Sequence, residues 1–261
     1  MPTVAALGFF DGVHQGHRAV IGRARELATL KGISCALFTF EPPVHTDRAV
    51  SKSGVRLLQS IEQREAIMRG LGVELLVCPP FESFYNLTPE EFVRIILHEA
   101  MHAVTVVCGE DYRFGQKGSG DTAVLKELAP AYGIEVVTLE PVCFDGGVVS
   151  STRIRDCLAA GTVAEANAML CEPYRFEGKI EAEGRTLRQE LLPGMMPPKP
   201  GFYHSCLLSD GVRYPAKTEV REEDGKTVAQ TEVLKDFPPF GSHPAAVLLM
   251  AEESSFLHKN N

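Results

Sequence analysis

The residues of this chain best suited to chemistry stand together near its start, in Gly8-Phe9-Phe10-Asp11-Gly12-Val13-His14-Gln15-Gly16-His17. Two histidines three positions apart, the second preceded by glycine, can bring two imidazole donors to one anion. Gly12 and Gly16 let the backbone come close to a phosphate because they carry no Cβ. Imidazole donors stabilise charge developing on a phosphoryl group without any covalent step. Taken singly, each histidine is only a polar residue near a helix start, where the dipole disfavours its protonation. The complete G-x-x-D-G-x-H-x-G-H string makes a phosphate site the expected reading.

A second segment has related chemistry. Ser150-Ser151-Thr152-Arg153-Ile154-Arg155 opens a helical stretch with three hydroxyl residues and two arginines. The hydroxyls are good N-caps in any case, and with the arginines they make a cationic mouth suited to phosphates. Arg153 and Arg155 are two apart and cannot share a helix face, so one of them points elsewhere. Gly115-Gln116-Lys117-Gly118-Ser119-Gly120-Asp121 is glycine-rich but lacks the GxxxxGK[ST] pattern of a P-loop. As a loop before a helix capped near Asp121 it needs no function of its own. His98-Glu99-Ala100-Met101-His102 matches the zinc motif HExxH. Its surroundings argue against a metal: Phe92, Ile95 and Ile96 form the apolar stripe of a crossover helix, and the next strand starts at Val104.

The elements that must position these residues follow from hydrophobic period. Apolar runs at 3–9, 33–40, 73–78, 104–108 and 134–139 read as strands. Between them, Val20, Ile21, Ala24, Leu27 and Ala28 recur at helical spacing within 17–31, and Gly32 is the stop. Ser60 and Gln63 start a helix over 61–69. Thr88-Pro89-Glu90-Glu91 spells a capping box with proline at the first helical position, ahead of a helix over 89–101. Strand-then-helix alternation predicts an α/β unit with a parallel sheet covered on both faces. Ligands of such sheets bind beyond the carboxyl ends of the strands, where the Gly8–His17 string falls. Two short helices, 151–159 and 162–170, lead to Pro173, after which short extended stretches broken by Gly and Pro read as a small antiparallel β-barrel-like domain. The expected domains are 1–172 and 173–261, with Pro193–Gly201 as a loop.

Composition bounds the partners. The net charge is −8, with 15 basic against 20 acidic residues up to position 171 and 11 against 14 beyond it. No basic domain or tail stands ready for nucleic acid, which needs concentrated positive charge. No run approaches the roughly 18 apolar residues of a membrane span, and the N-terminal MPTVAALGFF lacks the basic start of a signal peptide. Seven widely spaced cysteines without a CxxC pair read as small buried hydrophobes of a reducing cytoplasm.

Four motifs in this order, GFFDGVHQGH, TFEP (39–42), CGEDYRFGQKGSGD (108–121) and SSTRIRDCLAAGTVAEANAML (150–170), resemble the bacterial bifunctional riboflavin kinase/FMN adenylyltransferases, often called FAD synthetases. The likeness covers nearly all of residues 1–175. It implies a Rossmann-like nucleotidyltransferase that joins ATP and FMN into FAD and pyrophosphate with Mg²⁺, so its partners are small-molecule nucleotides and flavins. It implies catalytic roles for His14, His17 and Arg155. Gly8, Phe9, Phe10, Asp11, Gly16, Gly109, Asp111, Ser150, Ser151 and Thr152 would bind ATP, and Phe40, Phe92 and Phe114 would line the flavin site. The chain departs from the family pattern at Phe9, commonly Asn, at Pro43-Val44, where His-Pro is usual, and at Asp111, often Asn.

In the second domain the likeness thins. A riboflavin kinase carries G-x-P-T-A-N soon after a Gly-Arg pair, with Thr and Asn helping to hold metal and nucleotide. Here Gly184-Arg185 is followed by TLRQELLPGMMPPKPGFY, with no such stretch. Glu232 stands near where the family's catalytic glutamate falls, without an alignment firm enough to give it that role. The expectation is a nucleotidyltransferase without riboflavin phosphorylation. The alternatives are transfer to another phosphorylated small molecule and a flavin- or nucleotide-binding protein that does not turn over.

Overall fold

The computed structural model describes residues 1–41, 56–235 and 246–252; Pro42 of the TFEP motif, Pro43-Val44 and the chain after Glu252 lie outside these. Two compact units divide the chain: Met1–Lys52 with Ile61–Val149, and Ser53–Ser60 with Ser150–Asn261.

The first unit is a five-stranded parallel sheet in the order β3-β2-β1-β4-β5, made of β1 (Thr3–Leu7), β2 (Ser34–Phe38), β3 (Leu75–Val77), β4 (Ala103–Gly109) and β5 (Glu135–Leu139). Alternate side chains of β1 and β2 enter two separate cores. Val4, Ala6, Cys35 and Leu37 pack with Val20, Ile21 and Ala24 of α1 (Gln15–Lys31) and Met68 of α2 (Ile61–Gly70). Ala5, Leu7, Ala36 and Phe38 pack on the opposite face with Phe92, Val93, Leu97 and Leu125. The sheet is therefore covered on both faces, as strands without a polar side require.

Helix α3 begins at Pro89–Glu91 and continues as Phe92–Ala100. Its capping box is formed: the Thr88 hydroxyl accepts from the Glu91 N–H at 3.2 Å, and the Glu91 carboxylate accepts from the Thr88 N–H at 2.8 Å. From Phe92 the helix winds in wide π turns, and the Met101 N–H donates to the Ile96 carbonyl. Helical period in the sequence does not separate α from π winding. Asp121 caps α4 (Thr122–Leu128) as expected, its Oδ1 accepting from the Ala123 and Val124 N–H groups at 3.0 Å each. A small hairpin, β6 (Cys143–Phe144) and β7 (Gly147–Val148), closes the unit.

The second unit holds α5 (Ser151–Ala160), α6 (Val163–Leu170) and a seven-stranded antiparallel sheet in the order β8-β14-β11-β12-β13-β10-β9. Its strands are β8 (Tyr174–Phe176), β9 (Gly178–Glu183), β10 (Thr186–Leu191), β11 (Gly201–Ser209), β12 (Val212–Glu223), β13 (Lys226–Val233) and β14 (Ala246–Glu252). The two edge strands, β8 and β9, are joined through Glu177 alone. A sheet whose edges are one residue apart in the chain must curl upon itself, which gives the barrel-like form. Asn167 ties α6 to this sheet: its amide donates to the Leu249 and Met250 carbonyls at 2.8 and 3.0 Å and accepts from the Tyr174 N–H at 2.7 Å. The division at 172/173 read from the sequence and this grouping differ in where the helices of 151–170 fall.

The cysteines are all free. Burial pushes the Cys35 thiol up to about 11 and the Cys108 thiol up to about 12. Cys143 and Cys171 are exposed, a correction to the reading of all seven as buried: Cys143 lies in a surface hairpin, and Cys171 ends α6 in the left-handed conformation.

Candidate functional site

The sheet order creates one special place. From β1 the chain runs outward through β2 and β3, then returns to lay β4 on the other side of β1. Strand connections beyond the carboxyl ends of β1 and β4 diverge there and leave a crevice. The loop after β1 and the Gly109–Asp111 segment after β4 both stand at that end.

The loop after β1 has unusual backbone. Phe10 (φ 53°), Gly12 (φ 91°) and Val13 (φ 34°) all lie in the left-handed region. Such a conformation is a steric outlier for a β-branched residue, and it persists only where the surroundings dictate it. Here Phe10 and Val13 are buried among Ile21, Ala24 and Leu37, and Arg18 Nε donates to the Val13 carbonyl at 3.0 Å. A Cβ on Gly8 would stand 3.0 Å from the Phe10 ring, so glycine at position 8 is what lets Phe10 fold back.

Beyond this turn His14 caps α1. Its Nδ1 accepts from the His17 N–H at 3.4 Å, and the two imidazoles stack with centroids 3.6 Å apart and planes 16° from parallel. A Cβ on Gly16 would lie 3.3 Å from the His14 ring, so this glycine makes room for the stack. The Phe10 ring meets His17 edge-on at 5.2 Å. Burial first, then His14 and Arg64, hold the His17 pKa well below the usual imidazole range. His17 is therefore neutral at physiological pH. Its Nδ1 is buried without a hydrogen-bond partner among the described residues. The first turn of α1 carries no acidic side chain, so none of the helix's own first-turn residues neutralises the positive end of its 17 residues.

Gly8, Phe9, Phe10 and Asp11 lie in the loop before this pair, and Gly16 stands in the first turn of α1 between the two histidines. Asp11 is fully buried. After β4, a Cβ on Gly109 would come within 2.9 Å of Asp111 Oδ1, so the exposed Asp111 folds back over a glycine. Phe40 follows β2, half-buried, with its ring stacked on Phe9 at 4.7 Å and against Phe81 and Phe84 at 5.5 Å each. Phe92 and Phe114 are only 1% and 5% exposed. They lie 5.3 Å apart within the core, on the same aromatic network as Phe38 and Phe84.

In the second unit Ser150 caps α5, its hydroxyl accepting from the Arg153 N–H at 3.2 Å. Ser151 and Thr152 occupy the first turn. Arg153 is engaged with Glu165 of α6 at 2.8 Å, and Arg155 Nε donates to the Arg56 carbonyl at 2.6 Å. Gly184-Arg185 forms a two-residue turn joining β9 to β10, and Glu232 is exposed on β13.

The HExxH residues take up ordinary contacts. His98 packs on the Tyr132 ring at 5.4 Å, Glu99 pairs with Arg94 at 2.9 Å, and His102 lies past the helix end with φ 50°. Among the described residues no group of three His, Cys, Asp or Glu is arranged to hold a metal ion.

Sequence reasoning passed over Arg64, Phe81 and Phe84. The phenylalanines follow a strand that the sequence locates, and the aromatic spacing FESF was a usable signal. Arg64 had none: on the helical pattern it is one more charged residue.

The architecture is that of an α/β fold whose parallel sheet has a topological switch point between β1 and β4, followed in the chain by a β-barrel-like unit. Residues 1–153 match the family FAD synthetase, and the chain belongs to that family. It is 36% identical over 188 residues to the bifunctional riboflavin kinase/FMN adenylyltransferase of Listeria monocytogenes, covering 70% of this chain and 59% of that protein. With the protein of the same description from Bacillus subtilis it shares 32% identity over 85% of this chain and 69% of the relative. The match thus spans less than two thirds of the Listeria relative. Among solved structures, a Streptococcus pneumoniae protein described as a macrolide-efflux protein superposes with a TM-score of 0.82 at 26% identity, over 97% of this chain and 86% of that one. No helix among the described residues is long and apolar enough to cross a membrane.

Proposed function

We propose that this protein is an FMN adenylyltransferase, transferring AMP from ATP to the phosphate of FMN to give FAD and pyrophosphate. The observation that carries the proposal is the stacked His14–His17 pair at the start of α1, with His17 held neutral, at the switch point of a sheet in a chain of the FAD synthetase family. The phosphate of FMN is a monoester largely dianionic at pH 7, so it attacks the α-phosphorus of ATP without a general base. One P–O bond forms to the α-phosphorus as the bond to the β-phosphate oxygen breaks, and pyrophosphate leaves with the electron pair. The protein's task is to align two anions and to stabilise the charge that moves onto the leaving group.

His14 and His17 donate to the ATP phosphates together with the N–H groups that begin α1. A neutral His17 donates without the desolvation cost of a buried imidazolium. Gly8, Phe9, Phe10, Asp11, Gly16, Gly109 and Asp111 shape the nucleotide pocket, and Ser150, Ser151, Thr152 and Arg155 serve the triphosphate. Phe40 presents the flavin-facing ring, with Phe92 and Phe114 as the packed wall behind it. Mg²⁺ would be supplied as the complex with ATP, where it would neutralise charge on the phosphates.

The same reading gives no riboflavin phosphorylation, because β10 follows the Gly184-Arg185 turn directly and no Pro-Thr-Ala-Asn stretch is present. Incubation with ATP/Mg²⁺ and either riboflavin or FMN, with chromatography of all flavins, tests both halves. FAD from FMN and nothing from riboflavin is the expected outcome. FMN formed from riboflavin overturns the second half, and no FAD from FMN overturns the first.

A further inference from the structure

Beneath the loop after β1 lies a guanidinium to which the chemistry above gives no task. Arg64, on α2, is 0% exposed. Its Nη1 donates to the Phe9 carbonyl at 3.0 Å, an oxygen that also accepts from the Thr39 hydroxyl at 2.8 Å. Its Cζ stands 5.2 Å from the centre of the Phe9 ring, and that ring stacks on Phe40 at 4.7 Å. Phe9 therefore joins Arg64 to Phe40 through both its main chain and its side chain. Arg64 Nε and Nη2 are buried with no hydrogen-bond partner among the described residues.

Stability does not account for this arrangement. A buried guanidinium with two unsatisfied nitrogens is worse for folding than an apolar side chain of similar volume. Burial draws its pKa down against the opposing pull of Asp11, although arginine stays charged. What Arg64 does supply is direction. A planar fork over an aromatic face, bonded to the carbonyl of the same residue, fixes where that residue stands. The Asn common at this place in the family would carry no ring to stack on Phe40, so the chain has coupled an aromatic residue at position 9 to a cation below it.

We propose that Arg64 is a positioning residue for acceptor recognition: through Phe9 it holds Phe40 in place and so sets the affinity for the planar ring of the phosphorylated acceptor. The inference rests on Phe40 facing the flavin.

The test uses the full chain and reads FMN binding by quenching of flavin fluorescence, the KM for ATP, and the thermal midpoint. Arg64→Lys keeps a basic side chain of similar length beside Asp11 and loses the planar fork, and the thermal midpoint reports whether the fold is kept. The FMN Kd is expected to rise on the order of tenfold, the effect of losing one well-placed charge-assisted bond, with a much smaller rise in the KM for ATP, whose pocket Phe9 also borders, and a nearly unchanged midpoint. Phe9→Leu should weaken FMN binding similarly, and adding Arg64→Lys to it should cost little more, because both act through one contact. Wild-type FMN affinity in Arg64→Lys overturns the inference, as does a parallel loss of FMN affinity, ATP affinity and thermal midpoint, which marks a merely structural role. FMN bound by the wild type but never adenylylated overturns the proposed function while the binding comparison still decides this inference. FMN adenylylated with Arg64→Lys unaffected overturns this inference alone.

Discussion

At the scale of the residue, His17 shows how a position can set a protonation state. The imidazole is stacked on His14 and lies near Arg64, and burial and these two neighbours all oppose its protonation. Its folded pKa is lower than the unfolded value of roughly 6.5. Above that value both states are neutral there and the stability is fully present. As pH falls below it the unfolded chain takes up a proton that the folded chain refuses, and stability is lost. Urea unfolding between about pH 5 and 8 should show this decline, with a slope of at most about 1.4 kcal/mol per pH unit from this group. His17→Asn should flatten that part of the profile, and an unchanged slope in the variant would exclude His17 as its source. The histidine pair was legible from its spacing. The dipole's pull against protonation was legible too, but the depth of the shift was not, because it comes first from burial and then from neighbours that include Arg64, 47 positions away, brought close only by packing.

Elements decide which residues share a face. The sequence starts α1 at residue 17, because histidine and glycine are poor helix signals. The structure starts it at Gln15 with His14 as the cap, and this earlier start places the two imidazoles three apart on one turn. The hydroxyl cap at Ser150 and the box at Thr88 were legible, since each satisfies a local need for an N–H partner. The π winding of α3 was not, because apolar residues at mixed spacings of three and four suit either helix. Ser150→Ala removes the acceptor for the Arg153 N–H and should cost about 1 kcal/mol, typical for a lost N-cap. Equilibrium unfolding would read this loss, and an unaltered midpoint would mean that the cap hydrogen bond contributes nothing net.

For the whole molecule, the net charge of −8 is spread along a chain whose proposed substrates are anions, so binding must rely on local donors. Ligands that bind only the folded state should then raise the unfolding midpoint: at about 100 times its Kd, ATP or FMN should add about 2.7 kcal/mol. A midpoint indifferent to both would remove the proposed site. The barrel-like unit shows how little a thin resemblance settles, since its strand pattern was legible but the curl depends on β8 and β9 meeting at Glu177.

By itself the sequence determined the class of the chain. Apolar alternation and capping residues are local, and they suffice to set a parallel α/β unit before an antiparallel one, with a phosphate-suited string at a strand-to-helix junction. Only the tertiary structure decided that Phe92 and Phe114 are buried in the core while Phe40 stays half-buried, that Arg153 pairs with Glu165, and that Arg64 lies under Phe9. Those outcomes depend on which side chains lose their water to one another, and residues far apart in sequence settle that only when the sheet brings them together.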